Sequence, residues 1–85
     1  GDDETIAINK MRAINNALDK LGLNSNYHIG DAYFKKIENY KNKGKWDQLW
    51  NLHLKGTLFE YFRGEPEADK KLKELKEAYK NAGEN

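Results

Sequence analysis

The sequence contains no cysteine, and this absence excludes several kinds of protein at once. Without thiols the chain has no disulfide scaffold, no thiol nucleophile and no thiolate metal ligand. Histidine, the other common zinc ligand, occurs only twice, and His28 and His53 lie far apart in the sequence. Paired zinc ligands usually lie within a few residues of each other, so we predict no metal site.

Long apolar runs and a charge excess are missing as well. No stretch of about 18 apolar residues is present, so the sequence predicts no membrane span. The chain does not open on a basic segment followed by an apolar one, as a secretory signal would. The 15 Lys and Arg residues balance 14 Asp and Glu residues, and a net charge of +1 is not typical of a dedicated nucleic-acid binder. We therefore expect a cytoplasmic domain with no membrane partner.

The length of 85 residues allows one domain with one hydrophobic core. Burial of aliphatic and aromatic side chains must offset an ordering cost of roughly 1.5 kcal/mol per residue. The chain begins with Gly1 rather than Met, which predicts that residues 1–85 are a piece of a longer polypeptide.

Apolar residues recur at intervals of three and four in four segments, and this pattern predicts a compact all-α domain of four helices. The predicted helices span about residues 4–21, 31–40, 45–62 and 66–82. No segment alternates for long enough with the period of two that a strand requires. The apolar stripe of the first helix begins at Ile8, and Gly22 is its stop signal.

The other three helices carry local signals of their own. Asp31 is the predicted N-cap of the second helix. Gly56 falls near the middle of the third helix, where it predicts a bend or a close contact with another helix. Pro66 fits the first turn of the fourth helix, whose narrow apolar stripe predicts an amphipathic helix at the periphery of the domain.

The usual catalytic motifs are absent, including the glycine-rich phosphate loop, the dinucleotide fingerprint and the HExxH zinc motif. The only imidazoles, which are the commonest general bases, belong to His28 and His53. An ordinary, partly exposed histidine is the favoured interpretation of each, with His53 at the rim of the core.

A modestly basic middle gives an alternative function. Residues 35–55 hold six basic and two acidic side chains, with aromatic residues interleaved. Such a stretch could attract phosphates and stack bases in a stand-alone nucleic-acid-binding domain. The aromatic residues also fall at core spacing, so a solvated helix end with buried aromatics is the favoured interpretation. The side chains concerned are Lys35, Lys36, Lys41, Lys43, Lys45, Tyr33, Tyr40 and Trp46. A protein-interaction module is a further alternative.

The segment of residues 27–34 is the most informative in the chain. Gly30 has no Cβ and directly precedes a predicted helix, whose first N–H groups have no partner within the helix. Another molecule, such as a nucleotide, could therefore approach the backbone closely at this position. On physical grounds alone, a glycine that only turns the chain is the favoured alternative.

Two segments carry a family resemblance. The C-terminal lid of McrB-like AAA+ ATPases, the motor subunits of a modified-cytosine restriction system, contains an IGHSYF or IGGAYF element that resembles Tyr27-His28-Ile29-Gly30-Asp31-Ala32-Tyr33-Phe34. The segment W-x-x-x-I-x-P-L-L-x-E-Y-F of the same family is similar to residues 50–62, from Trp50 to Tyr61-Phe62. Ile14-Asn15 is similar to the "lN" helix that precedes the first element. The resemblance covers about residues 6–64.

The resemblance implies a helical lid that packs against a nucleotide-binding core encoded N-terminal to this chain. The implied partners are that AAA+ core, neighbouring subunits of a ring, and DNA reached through the parent assembly. The implied cofactor is ATP or GTP with Mg²⁺ in the parent, which would be an ATPase or GTPase, and none in this chain. The lid would close over the bound nucleotide and pass nucleotide state to neighbouring subunits, and it would hydrolyse nothing by itself.

The resemblance also assigns site residues. His28, Ile29, Gly30 and Asp31 are expected near the nucleotide in the parent. Exposed apolar residues should mark the surface that docks on the core, and the candidates are Leu23, Tyr27, Ile29 and Phe59. Asp31 stands where the family often has His or Gly, and Gly56-Thr57 replaces its Pro-Leu pair. Neither Arg12 nor Arg63 matches the position of a phosphate-sensing arginine.

Overall fold

The structure, a computed structural model, describes residues 2–40 and 43–83, and all described regular elements are helical. The predicted all-α fold of four helices is confirmed. Helix α1 spans Asp2–Lys20, and a 3₁₀ turn at Ser25–Tyr27 follows it. Helix α2 spans Asp31–Lys35 and continues as a 3₁₀ turn at Lys36–Asn39. Helix α3 covers residues 45–61, and α4 spans Ala68–Asn81.

Helix α3 changes its winding in the middle. It runs as an α-helix over Lys45–Leu49, as a π-helix over Trp50–Leu54 and again as an α-helix over Lys55–Tyr61. The predicted irregularity therefore precedes Gly56, and a Cβ added at Gly56 would meet nothing within 4 Å. The predicted close helix contact at Gly56 is wrong, because this glycine faces open space.

Two predicted helix starts are also corrected. The N-cap of α2 is Gly30, with extended backbone, so Asp31 is the first helical residue. Helix α4 begins at Ala68, so Pro66 lies in the preceding turn instead of the first helical turn. The acidic side chain at Asp31 still lies in the first turn, where negative charge is favoured by the helix dipole.

Helix α1 ends at a glycine, as predicted. Gly22 has φ +92, a left-handed conformation that costs any other residue strain. The Gly22 N–H donates to the Asp19 carbonyl at 3.0 Å, and the Leu23 N–H donates to the Leu18 carbonyl at 3.1 Å. These two bonds form the Schellman arrangement, in which the residue after the glycine commonly folds back onto the helix. Leu23 accordingly packs, half-buried, against the core.

Gly22→Ala should destabilise the domain by about 1–2 kcal/mol, because alanine is strained at this positive φ. Gly30→Ala is the matched control, since Gly30 has φ −92 and open space beside it. The control should change the free energy of unfolding by about 0.5 kcal/mol or less. Urea denaturation of both variants checks this, and equal losses would contradict it.

All four helices meet at Tyr79, which is 1% exposed. Its ring lies 5.3 Å from the Trp50 ring of α3 and 6.5 Å from the Phe34 ring of α2. Its hydroxyl donates a 2.6 Å hydrogen bond to the Trp46 carbonyl. The buried core comprises Ile14, Leu18, Ile29, Phe34, Ile37, Leu49, Trp50, Leu54, Leu58, Phe62, Leu75 and Tyr79. The prediction that α4 is peripheral is therefore wrong.

The core also contains a lysine. Lys10 of α1 is fully buried, and its Nζ donates a 2.7 Å hydrogen bond to the Tyr79 carbonyl in the last turn of α4. A cation is favoured there, because the carbonyls of a last turn lack helical partners and carry partial negative charge. The Nζ also lies 4.5 Å from the centroid of the Tyr79 ring. Lys10 thereby joins α1 to the end of α4.

Two further observations concern the surface. Ile8, where the predicted core stripe of α1 begins, is 39% exposed and lies outside the core cluster. Among the described helices, none is both long enough and apolar enough to cross a membrane.

Candidate functional site

The loop between α1 and α2 is held by side-chain hydrogen bonds at both ends. Asn24 accepts a 2.9 Å bond from the Asn26 N–H and so caps the 3₁₀ turn. His28 Nε2 lies 2.6 Å from Asp19 Oδ1 of α1. These contacts give a largely polar, exposed loop a defined path across the end of α1.

Ile29 is fixed more firmly than any other residue of this loop. The Asn15 Nδ2 donates to the Ile29 carbonyl at 3.1 Å, and the Ile29 N–H donates to Asn15 Oδ1 at 2.7 Å. A single amide side chain thus satisfies both backbone groups of one residue, as a neighbouring strand would. The Ile29 side chain is 2% exposed and belongs to the core. Asn15 and Ile29, residues of two separate resemblance motifs, therefore form one structural unit.

The predicted exposure of Ile29 is wrong, because its side chain anchors the loop in the core. The same anchor determines what surrounds it on the surface. Gly30 and Asp31 are exposed, and His28 is half-buried. Gly30 adopts an ordinary extended conformation, and a Cβ added there would meet nothing within 4 Å. Neither backbone strain nor packing against the residues that the structure describes requires a glycine at position 30.

The apolar docking candidates separate into two groups. Leu23 packs against the core, so its predicted exposure is wrong, and the Schellman turn after Gly22 is the reason. Tyr27 and Phe59 are each 39% exposed, as expected for surface contacts. Tyr27 packs edge-on against Tyr61, with 5.1 Å between ring centroids. Since residues 59 and 61 are two apart on a helix, Phe59 and the Tyr27 contact lie on different sides of α3.

Leu52 is an exposed apolar residue that the sequence analysis did not single out. It is 65% exposed, the highest value among the large apolar side chains described as exposed. Leu52, Gly56 and Phe59 are spaced by four and three residues, which places them on one exposed face of α3. The position of Leu52 off the core stripe of α3 is the sequence signal that could have identified it.

Three tyrosines meet on the Tyr27 side of α3. The Tyr33 hydroxyl lies 3.2 Å from Thr57 Oγ1, and Tyr61 packs against Tyr27. Burial raises the pKa of Tyr61 above its usual 10.0, and the nearby phenol groups of Tyr33 and Tyr27 raise it further. Tyr61 therefore stays protonated and uncharged throughout the physiological pH range.

Tyr61 should contribute to alkaline unfolding. Above about pH 10 the unfolded chain loses the Tyr61 proton while the folded chain retains it. The contribution of Tyr61 to the free energy of unfolding is therefore fully present below this range and is lost as the pH rises through it. Tyr61→Phe should flatten this fall in the free energy of unfolding. Urea titrations between about pH 9 and 11 check this, and parallel pH profiles for the two proteins would contradict it.

The aromatic residues of the basic stretch are used inside the fold. Tyr40 donates or accepts a 2.7 Å hydrogen bond with His53 Nε2, and Trp46 packs partly buried against the core. His53 is half-buried, which confirms its predicted place at the rim of the core. Lys45 pairs with Asp3, and Lys41 lies outside the described residues. The arrangement favours core packing over base stacking.

Among the described residues, no group of three or more His, Asp or Glu side chains could hold a metal ion.

The comparison with protein families assigns this helical module. The alpha-helical lid domain of McrB matches residues 7–70, which is most of the chain and includes Asn15, Ile29 and Gly30. The chain belongs to this McrB lid family, and the resemblance inferred from the sequence is confirmed. It is thus a lid domain of the kind found in McrB-like AAA+ proteins. No curated protein and no solved structure matches the chain.

Proposed function

We propose that this lid closes over a nucleoside triphosphate, ATP or GTP with Mg²⁺, bound to an AAA+ core of the same parent chain. The lid itself supplies no catalytic group, and the parent is an ATPase or GTPase. His28, Ile29, Gly30 and Asp31 form the segment that faces the nucleotide, and within it the Ile29 side chain is buried in the lid and anchors the other three residues. Membership of the McrB lid family supports the assignment to an AAA+ protein.

This proposal depends on one observation: Ile29 is fixed by two hydrogen bonds, and the next residue, Gly30, is exposed with free space beside its Cα. The two hydrogen bonds to Asn15 fix the loop, so the position of Gly30 is set before any partner arrives. Since nothing in the described part of the chain requires a glycine at position 30, its small size is explained by the close approach of another body. That body is the core with its nucleotide.

The division of the exposed apolar residues supports contacts on two sides. Tyr27 lies next to the nucleotide-facing segment and docks on the parent's own core. Phe59, which the sequence predicts to dock on the core, lies with Leu52 on the other side of α3, and on this ground we assign it to a contact with a neighbouring subunit of the ring. A rigid lid that contacts both bodies transmits nucleotide state as a rigid-body movement. DNA is reached through the assembled parent and not through the lid.

The experiment is an NMR titration of the isotope-labelled lid with the separately expressed AAA+ core, with and without nucleotide. We expect shift changes at Tyr27, His28, Gly30 and Asp31 that are larger when nucleotide is bound. In a size series, Gly30→Ala should weaken this response and Gly30→Leu should abolish it, while urea denaturation shows that both variants stay folded. An unchanged lid spectrum at high core concentration, or full binding by Gly30→Leu, would refute the proposal.

A further inference from the structure

A groove of about 510 Å³ lies between the N-terminal half of α1 and helix α2 with its 3₁₀ extension. Its volume is within the range of about 300–1,000 Å³ typical of binding clefts. The floor is apolar, and the side chains that form it are Ala7, Ile8, Met11, Phe34 and Ile37. Ile8 is 39% exposed there, although it is a large aliphatic residue that burial would stabilise. The groove thus offers apolar surface that the domain itself does not cover.

The charged residues around this floor are mainly acidic. Four carboxylates and one ammonium group line the groove, and they belong to Asp3, Glu4, Asp31, Glu38 and Lys35. Asp3 pairs with Lys45, which offsets part of this charge. Glu4 also takes part in an interaction within the chain. Even without Asp3 and Glu4, the lining holds two carboxylates and one ammonium group and remains net negative in a chain whose overall charge is +1. This local excess gives the groove a field that favours a cationic partner.

The groove geometry favours a helix as that partner. The lining residues of α1 are spaced as 3, 4, 7, 8 and 11, which is one face of a helix, and α2 forms the opposite wall. Two adjacent helices with an apolar floor between them form the usual seat for the apolar face of a third helix. Lysine or arginine side chains on that helix can lay their aliphatic stems on the floor and reach the carboxylates with their charged ends. A metal ion is a poor alternative, because the described part of the chain contains no cluster of three or more His, Asp or Glu side chains that could hold one.

We propose that this groove is a docking site for an amphipathic helix that presents leucine-like residues flanked by lysine or arginine. The groove shares Asp31 with the nucleotide-facing segment but differs from it in its apolar floor, to which α1 contributes Ala7, Ile8 and Met11. The lid alone therefore binds such a helix, without nucleotide and without the AAA+ core. Failure of this proposal leaves the proposed closure over nucleotide untouched, and the reverse also holds.

The test is a selection of random 16-residue peptides displayed on phage against the immobilised 85-residue chain. We expect enriched peptides that combine Lys or Arg with Leu, Ile or Phe at helical spacing. Their affinity should fall at least about tenfold when salt is raised from roughly 50 to 500 mM, because the attraction of the carboxylates is screened. Ile8→Glu should reduce binding about tenfold or more, because the cost of burying a charge on the apolar floor exceeds its added attraction for basic side chains.

Leu52→Glu is the matched control, because it makes the same change at an exposed apolar residue on α3 and outside the groove. It should leave peptide binding unchanged, and circular dichroism verifies the fold of both variants. The proposal is overturned if no peptide is enriched, if the enriched peptides lack basic residues, or if Ile8→Glu binds them as well as the parent chain does. Dimerisation of the chain that is abolished by Ile8→Glu would assign the groove to a second copy and would also overturn it.

Discussion

A chain cut at residue 70, where the match to the McrB lid family ends, should not fold. The cut removes nearly all of α4 and with it Leu75 and Tyr79, which are 0% and 1% exposed. It also removes the Tyr79 carbonyl that accepts the buried Lys10 ammonium, and it exposes to water the apolar side chains that the Tyr79 ring covers, among them Trp50 and Phe34. Small domains have net stabilities of about 5–15 kcal/mol, so losses of this kind exceed the total.

A substitution in α4 tests its contribution to stability in a chain that still folds. Leu75→Ala should lower the free energy of unfolding by about 2–5 kcal/mol, because a fully buried leucine is replaced by a cavity. Glu77→Ala, at an exposed position of the same helix, should change it by about 0.5 kcal/mol or less.

Far-UV circular dichroism and urea denaturation measure both effects. The control for the cut is a chain that ends at Gly83, which should fold normally because it retains all of α4. A cooperative unfolding transition in the chain cut at residue 70 would show that the first three helices fold without α4. It would return α4 to the peripheral role that its sequence pattern suggests.

The role of α4 shows which parts of the fold could be predicted from the sequence. Spacing of apolar residues located all four helices, because a face buried along a helix repeats at three and four residues. The spacing did not show how deeply α4 is buried, because even a narrow apolar stripe can include one large aromatic ring. Tyr79 reaches into the domain far enough to contact residues of the other three helices.

Lys10 marks a second limit of the pattern. Lys10, Ile14 and Leu18 follow each other at intervals of four, and all three are fully buried. The spacing alone places Lys10 on the core face, but its charge argued against burial. Only the tertiary fold shows that its ammonium group meets the carbonyl end of α4. Ile8 is the converse case, since an apolar residue on α1 remains exposed where no helix covers it.

The candidate site was predicted in part. Position and order of the family motifs located the loop, and the family match confirms the family. The exposure of Leu23 and Ile29 was predicted wrongly, for different reasons. Leu23 folds back onto the core in the local turn after α1, whose backbone hydrogen bonds end at Leu18 and Asp19. The hydrogen bonds between Asn15 and Ile29 join residues 14 positions apart, and no local pattern encodes them.

Asn15→Asp should destabilise the domain by about 2–3 kcal/mol and loosen the loop that carries Gly30. The replacement keeps the size of the side chain and its acceptor for the Ile29 N–H. It loses the amide donor to the Ile29 carbonyl and places a carboxylate oxygen next to that carbonyl oxygen instead. Asn16→Asp is the matched control, because it adds the same charge one residue further along α1 at an exposed position, and it should cost about 0.5 kcal/mol or less.

The destabilisation by Asn15→Asp should depend on pH in a way that a packing defect would not. A carboxyl group held against a carbonyl is favoured in its protonated form, which can again donate a hydrogen bond to Ile29. Its pKa in the folded chain is therefore raised above the unfolded value of about 3.9, so the variant recovers stability relative to the parent as the pH falls toward 4. Urea titrations from about pH 4 to 7, with amide exchange at Ile29 and Gly30 as a local probe, measure both effects. If the loss of stability is independent of pH, or equals that of Asn16→Asp, the Asn15 amide does not hold the loop. Gly30 would then lack the fixed position on which closure over a nucleotide depends.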